Sequence, residues 1–133
     1  MGRSRLLVID DDREVRDTIA DVLRFDGYDV QTASDGREGL ALVCRNPYDL
    51  IFCDLRMPTM DGQAFYEEIQ RDHPRVLRRI VFVTGEAHAF QYAAFLRDTG
   101  IPLLEKPVTL QQLKSMVDRM VGQGATSGRR RVI

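Results

Sequence analysis

The chain has 133 residues, of which 44% are hydrophobic and 29% are charged, and its formal net charge is −1. This length fits one domain with a core of its own, and a balanced charge gives no reason to expect nucleic acid as a partner. No apolar run reaches the roughly 18 residues of a membrane span and no secretory signal opens the chain, so we expect a cytoplasmic protein without membrane contact.

The two cysteines, Cys44 and Cys53, are far apart and belong to no Cys-x-x-Cys pair. Such spacing argues against a disulfide framework and against structural zinc. We expect both thiols to be reduced and buried, as small apolar residues of the core.

Five short apolar runs, rich in branched residues, predict β-strands. They are residues 6–9, 28–33, 50–53, 80–84 and 101–104. Runs that are apolar at consecutive positions are typical of strands buried on both faces of a parallel sheet. Segments of helical period follow each run, and this alternation predicts a doubly wound α/β fold with right-handed crossovers.

Five helices are predicted between and after the strands. The first ends at Gly27, the second starts with the capping residues 34–36, and His73-Pro74 closes the third. Their apolar stripes are Val15, Ile19, Val22 and Leu23; Leu40, Val43 and Cys44; Phe65 and Ile69; Phe90, Ala94 and Phe95; and Leu110, Leu113, Met116, Val117 and Met120. We expect one domain over residues 4–121, followed by a flexible basic tail over 122–133 that is either solvated or a basic docking element.

Polar side chains follow four of the predicted strands, where open α/β sheets bind their ligands. The first strand ends in three acids, and the later strands end in single residues. These residues are Asp10, Asp11, Asp12, Asp54, Thr84 and Lys106. We therefore expect carboxylates, one hydroxyl and one ammonium group to share a single crevice.

The crowding of acids in this crevice predicts a metal ion. Two like charges about 4 Å apart repel by roughly 4 kcal/mol at an effective dielectric near 20, whereas a helix N-terminus returns only about 0.3–1 kcal/mol. Lys106 balances one acid, so a hard divalent cation such as Mg²⁺ must balance the rest. The alternative, that Asp10 to Asp12 only cap the first helix, accounts for Asp12 and leaves the other two unexplained.

The same residues carry a resemblance to a known family. Asp10-Asp11, the stretch 51–58 running on to Asp61-Gly62, Thr84-Gly85 and Lys106-Pro107 resemble the receiver domains of two-component response regulators, the chemotaxis regulators among them. The resemblance covers residues 4–121. It implies a flavodoxin-like (βα)5 sandwich with the strand order 2-1-3-4-5.

The resemblance also implies a role for each site residue. Asp54 is the phosphoacceptor, which takes a phosphoryl group from a phosphohistidine. Mg²⁺ is bound by Asp11 and Asp54 directly, by the backbone carbonyl of Arg56, and by Asp10 through a water molecule. Lys106, in a cis peptide with Pro107, pairs with Asp54 and then with a phosphoryl oxygen, while Thr84 donates its hydroxyl and shifts. These roles agree with what phosphoryl transfer requires, namely a positioned nucleophile and fixed positive charge.

One departure from the family concerns the switch. Many members carry Tyr or Phe three residues before the lysine, and this chain has Leu103 there. We therefore do not expect an aromatic rotamer switch, and we expect output through backbone shifts at residues 85–89 or a weak output. Arg56 and Glu86 flank the site, where they could tune hydrolysis or serve only as surface charges.

The stretch 95–107 is similar to receivers at the C-terminus of hybrid histidine kinases, and a stand-alone receiver is the other interpretation. The expected partner is a histidine kinase or a histidine-phosphotransfer protein, with self-catalysed phosphorylation and dephosphorylation as the only enzymatic activity. A face of the fourth and fifth helices could support a weak homodimer.

Two other function classes remain open. Asp10-x-Asp12 is similar to the nucleophile motif of haloacid-dehalogenase-type Mg²⁺ phosphatases, although a later acidic motif and a cap insertion are missing. The other class is a receiver-like interaction module that takes no phosphate. Loss of an acyl phosphate on Asp54→Asn or on Asp10→Asn separates receiver from phosphatase.

Overall fold

The computed structural model describes residues 3–122, with the side chains of residues 86 and 87 left out. Five parallel strands form one sheet of order β2-β1-β3-β4-β5, which confirms the predicted fold class and strand order. The strands are β1 (Arg5–Ile9), β2 (Asp29–Ala33), β3 (Leu50–Asp54), β4 (Ile80–Thr84) and β5 (Leu103–Glu105).

Six α-helices connect or follow these strands. They are α1 (Arg13–Phe25), α2 (Gly36–Arg45), α3 (Gly62–Asp72), α4 (Glu86–Gln91), α5 (Ala93–Thr99) and α6 (Leu110–Val117). A 3-10 segment (Pro74–Arg79) precedes β4, and a π turn (Asp118–Gly122) extends α6.

The central strands feed two separate cores, because alternate side chains of a strand point to opposite faces of the sheet. In β3, Leu50 and Phe52 join the core under α1 and α6, whereas Ile51 and Cys53 join the core under α2, α3 and α5. The consecutive apolar runs are therefore those of strands buried on both faces, as the sequence predicts.

Side-chain caps fix where the helices begin. Asp12 accepts hydrogen bonds from the backbone of Glu14 and Val15 at the start of α1, and Asp61 accepts one from Ala64 at the start of α3. Each cap satisfies backbone N–H groups that have no partner inside the helix. These caps fix the first residue of α1 and of α3, the helices that follow the loops at the carboxyl edge of the sheet, where the polar strand ends lie.

The prediction of one continuous fourth helix is wrong. The chain breaks at Tyr92 into α4 and α5, and Phe90, predicted to be a member of the buried stripe, is 85% exposed. The break interrupts the helical period at Tyr92, so the apolar positions of α4 and α5 do not form one continuous stripe.

Three smaller predictions also differ from the structure. The last strand begins at Leu103 rather than residue 101 because the left-handed Gly100 ends α5 and Pro102 has no N–H to pair. The 3-10 segment after Pro74 was not predicted, although proline suits the first turn of a helix. Leu110, at the start of α6, is half-exposed.

One cysteine lies where the sequence predicts and the other does not. Cys53 is buried within β3, whereas Cys44 is exposed in the last turn of α2, with its Sγ atom 3.3 Å from Nε2 of His73. The helical stripe therefore stops one residue before Cys44. Both thiols are free.

The tail prediction falls on residues 123–133, which lie outside the described part of the chain, while Gly122 belongs to the π turn. Among residues 3–122, no helix is both long enough and apolar enough to cross a bilayer.

Candidate functional site

The candidate site lies at the carboxyl edge of the sheet, where β1, β3 and β4 end side by side. The register pairs Ile9 with Cys53 and Asp54 with Val83. Asp10, Asp54 and Thr84 therefore follow or close neighbouring strands, and they are 1%, 5% and 0% exposed. The sheet, rather than any loop, brings these three polar groups together.

The acids of this edge form a cluster suited to a cation. Carboxylate oxygens of Asp10, Asp11 and Asp54 all lie within 4.8 Å of one another, with Asp11 exposed to solvent and the other two buried. An all-oxygen set with one solvent-facing ligand is what Mg²⁺ prefers, because it retains several waters. The residues present thus fit the predicted ion.

Lys106 bridges the two buried acids. Its Nζ atom lies 3.0 Å from Oδ2 of Asp10 and 3.2 Å from Oδ2 of Asp54, and its backbone N–H donates to the carbonyl of Thr84. The peptide bond to Pro107 is cis, as the resemblance implies. The resemblance implies the pair with Asp54, and the pair with Asp10 was not predicted.

Burial and charge set the protonation of the site. Burial raises the pKa of Asp54 to about 6, the charge of Asp10 adds to the rise, and Lys106 opposes it. Burial alone would lower the pKa of Lys106, but its hydrogen bonds and charge contacts with Asp10 and Asp54 raise it. Lys106 is therefore a fixed positive charge at neutral pH, and it offsets only part of the combined effect of burial and Asp10 on Asp54.

Asp10 is the anchor of the β1–α1 turn. Its Oδ1 atom accepts from the backbone N–H of Asp12, and its carbonyl accepts from the guanidinium of Arg16. Asp12 caps α1, as the capping alternative predicts for it alone. That alternative does not account for Asp10 and Asp11, which face Asp54.

Thr84 supplies a hydroxyl that has nothing to bond. Among the described side chains, Thr84 Oγ1 is the buried polar atom without a hydrogen-bond partner. Leaving such a group unsatisfied costs about 1–3 kcal/mol. Thr84 ends the strand next to the one that Asp54 ends, so this donor is available at the same edge of the sheet.

The β3–α3 loop, residues 55–61, closes one side of the site. The backbone N–H of Arg56 points to Oδ1 of Asp54 at 3.4 Å, and Thr59 has a left-handed backbone with a φ of 69°. Asp61, at the end of this loop, accepts a hydrogen bond of 2.8 Å from the hydroxyl of Tyr92. This contact was not predicted, because only the break between α4 and α5 turns Tyr92 toward the loop.

Leu103, at the position where the family often has an aromatic residue, opens β5 and pairs in register with Phe82. It is half-buried against the core of α2, α3 and α5. The aromatic contacts of that region are made instead by Tyr66, Phe82 and Phe95. The side chain of Glu86 lies outside the described part of the structure.

Solved structures resemble this fold closely. The chemotaxis protein CheY4 of Vibrio cholerae has a TM-score of 0.79 and 28% identity, covering 90% of this chain and 99% of its own. A CheY-like receiver protein of Methanospirillum hungatei has a TM-score of 0.81 and 27% identity, covering 92% and 96%. TrrA of Thermotoga maritima, solved in complex with Mg²⁺-BeF, has a TM-score of 0.75 and 27% identity, covering 88% and 98%.

Curated relatives are longer proteins. The transcriptional regulatory protein GlrR of Escherichia coli is 32% identical over 92% of this chain, and the response regulator MprA of Mycolicibacterium vanbaalenii is 34% identical over 82%. The chain spans 27% and 46% of their respective lengths. Residues 6–118 match the family described as the response regulator receiver domain. The chain therefore belongs to the response regulator receiver domain family.

Proposed function

We propose that the chain is the phosphoacceptor domain of a two-component phosphorelay, which takes a phosphoryl group from a phosphohistidine onto Asp54 and signals by changing conformation. One observation carries the proposal. The Asp54 carboxylate, the Lys106 ammonium 3.2 Å from it and the unpaired Thr84 hydroxyl lie at one edge of the sheet.

Each of these groups has a task in the transfer. A carboxylate oxygen of Asp54 attacks phosphorus, the P–N bond of the phosphohistidine breaks with its electron pair going to nitrogen, and the departing imidazole nitrogen takes a proton from water. Lys106, already held between two acids, neutralises one phosphoryl oxygen, and Thr84 donates its hydroxyl to another. Fixed positive charge around the transferred group is most of the catalysis that this chemistry needs.

In this proposal Mg²⁺ is held by Asp11, Asp54 and the carbonyl of Arg56, with Asp10 acting through water. When bound, Mg²⁺ would supply the remaining positive charge that the transferred phosphoryl group needs. Two observations support it. The carboxylate cluster offers the ligands, and TrrA was solved in complex with Mg²⁺-BeF.

Asp10 is a poor candidate for the nucleophile of a dehalogenase-type phosphatase. Its side chain is 1% exposed, one oxygen accepts from the backbone of Asp12, and the other faces Lys106 at 3.0 Å. A receiver-like module that takes no phosphate is the remaining alternative. The unpaired hydroxyl of Thr84 argues against it, because such a module has no anion to satisfy it.

The wider setting completes the proposal. The donor is a histidine kinase or a histidine-phosphotransfer protein in the cytoplasm. Self-catalysed phosphorylation and dephosphorylation are its only enzymatic activity, and any homodimer is weak.

The test is incubation with Mg²⁺ and acetyl phosphate, followed by intact-mass measurement. We expect one alkali-labile phosphoryl group on the wild type and none on Asp54→Asn. Asp12→Asn is the matched control, because asparagine also caps helices well and Asp12 lies outside the carboxylate cluster. A folded wild type that takes no label, or an Asp54→Asn protein that still takes it, would contradict the proposal.

A further inference from the structure

Tyr92 occupies the break between α4 and α5 and is tied to the candidate site. Its side chain is 8% exposed, and its hydroxyl donates to Oδ2 of Asp61 at 2.8 Å. Burial raises the pKa of Tyr92 to about 12, and the hydrogen bond to Asp61 adds to the rise. The tyrosine therefore keeps its proton and donates it to a carboxylate, which is the stronger kind of hydrogen bond.

Asp61 connects this contact to the β3–α3 loop. Its other oxygen, Oδ1, accepts from the backbone N–H of Ala64 and caps α3. The same carboxylate thus ends the loop that directly follows Asp54, and it also holds the hydroxyl of Tyr92 at the end of α4. A displacement of the loop weakens the hydrogen bond between Tyr92 and Asp61, because hydrogen bonds weaken steeply once their distance or angle departs from the optimum.

A second contact joins the same two segments. The guanidinium of Arg56, in the β3–α3 loop, donates to Oε1 of Gln91 at 3.1 Å. Gln91 is the last residue of α4 and directly precedes Tyr92. Two adjacent residues at the end of α4 are therefore bonded to two residues of one loop.

The other end of α4 starts beside the unpaired hydroxyl. Thr84 closes β4, Gly85 caps α4, and the helix has only six residues before it reaches Tyr92. A movement of Thr84 toward an anion on Asp54 pulls the start of α4, while Asp61 and Arg56 hold its end. A helix this short moves as a rigid unit. A shift that follows Thr84 at its start therefore breaks the hydrogen bonds of Gln91 and Tyr92 at its end.

We propose that the Tyr92–Asp61 hydrogen bond is a latch that holds α4 and α5 in the arrangement of the unphosphorylated protein, and that loading the site opens it. The inference rests on the proposed function. Opening of this latch would transmit a change at the site to the surface without an aromatic side chain at position 103. Phe90 lies two residues before Tyr92 and is 85% exposed, so opening the latch repositions an apolar side chain at the surface.

The first experiment measures the latch without ligand, by amide hydrogen exchange. We expect Tyr92→Phe to speed exchange across residues 86–99 by about tenfold, because local opening no longer has to break the bond. Asp61→Asn tests the same bond from its other side, and asparagine preserves the cap of α3. Tyr48→Phe is the matched control. Tyr48 is also buried and bonded through its hydroxyl, to Gln31, but it lies at the amino end of β3.

The second experiment measures affinity for Mg²⁺ with beryllofluoride, a stable mimic of an acyl phosphate. Coupling between two sites is reciprocal, so a latch that loading must open also weakens loading. Tyr92→Phe should bind the mimic about fivefold more tightly, with unchanged affinity for Mg²⁺ alone, and Tyr48→Phe should bind both like the wild type.

The outcomes separate the two proposals. A wild type that binds no mimic contradicts the proposed function, and the latch is then judged on the exchange of the ligand-free protein. Unchanged exchange in Tyr92→Phe, or tighter binding shared by Tyr48→Phe, overturns the latch. Weaker binding of the mimic by Tyr92→Phe overturns it as well, because the bond would then belong to the loaded state.

Discussion

The hydroxyl of Thr84 is the most telling single atom of the structure. It is fully buried and has no hydrogen-bond partner among the described residues, and such unsatisfied groups are rare in native proteins. Valine has nearly the same shape without the hydroxyl, so threonine at this position carries a cost to stability. We attribute that cost to the bond it makes once an anion is bound.

Thr84→Val therefore separates stability from function. We expect the free energy of unfolding of the ligand-free protein to rise by about 1 kcal/mol, because an unsatisfied donor is removed. Affinity for beryllofluoride in the presence of Mg²⁺ should fall by about tenfold, as one hydrogen bond to a charged group is lost. Urea unfolding and calorimetric titration measure the two quantities.

The contrasting variant is Thr99→Val. Thr99 bonds through its hydroxyl to Leu96 and Ile101, so its loss should destabilise the protein and leave the affinity unchanged. Equal stability losses in both variants would show that Thr84 is satisfied in solution.

The site residues could be predicted because the sequence shows where each strand ends. Asp54, Thr84 and Lys106 each follow an apolar run, and parallel strands bring such positions to one edge. The ion pair between Lys106 and Asp10 could not be predicted from the positions of the strand ends. A long side chain at the end of one strand can reach either of two acids, and only the rotamers decide between them.

At the scale of elements, glycine sets how closely α3 approaches the site. A Cβ atom on Gly62 would lie 2.7 Å from the carbonyl oxygen of Asp54 and 2.9 Å from Cα of Leu55. Both are backbone atoms, which cannot rotate away. The start of α3 therefore packs directly on the strand end that carries the candidate phosphoacceptor.

Gly62→Ala should consequently affect both fold and site. We expect a loss of about 1–3 kcal/mol in the free energy of unfolding, from overpacking against backbone. Mg²⁺ affinity should also fall, because relief of the clash displaces Asp54. Chemical denaturation and Mg²⁺ titration by calorimetry report the two effects.

Gly27→Ala is a control that acts through backbone conformation alone. Gly27 has a φ of 94° and open space around it, so alanine there should cost roughly 1 kcal/mol in strain without changing Mg²⁺ affinity. An equal drop in affinity for both variants would mean that instability, and not the displacement of Asp54, weakens metal binding.

Elements with strong caps and regular periods were predictable, and the interrupted ones were not. The sequence predicts caps at Asp12 and Asp35, and their side chains cap α1 and α2. The cap of α3 by Asp61 was not predicted. Nothing local marks Tyr92 as a break, because tyrosine is tolerated within helices. Its position is determined by a distant partner, Asp61, which a sequence pattern cannot reveal.

At the scale of the whole molecule, the site couples stability to pH. The pKa of Asp54 is raised to about 6 in the folded protein, against roughly 3.9 for an unperturbed aspartate. The folded state thus keeps a proton that the unfolded chain releases earlier. This contribution to stability is full below the unfolded pKa and is lost as the pH rises through 6.

Without Mg²⁺, we therefore expect the free energy of unfolding to fall from mildly acidic to neutral pH. Asp54→Asn removes this contribution and should be more stable than the wild type at neutral pH, since one uncompensated buried charge is gone. Because other carboxylates titrate as well, the informative quantity is the difference between the two proteins, measured by urea unfolding on both sides of pH 6.

Mg²⁺ should reverse the trend for the wild type only, because the ion binds the deprotonated carboxylate and binding stabilises the folded state. A difference between wild type and Asp54→Asn that does not vary with pH would show that Asp54 ionises normally.

The two cores on opposite faces of the sheet share no residue among those described. Helix α5 packs on the core that contains Tyr92 and Phe95, whereas α1 and α6 pack on the other. Rearrangement on one side can therefore proceed while the opposite surface keeps its shape. Under the proposed function, a donor that docks on the α1 and α6 side would meet the same surface before and after transfer, so substitutions there are expected to alter recognition and not the response.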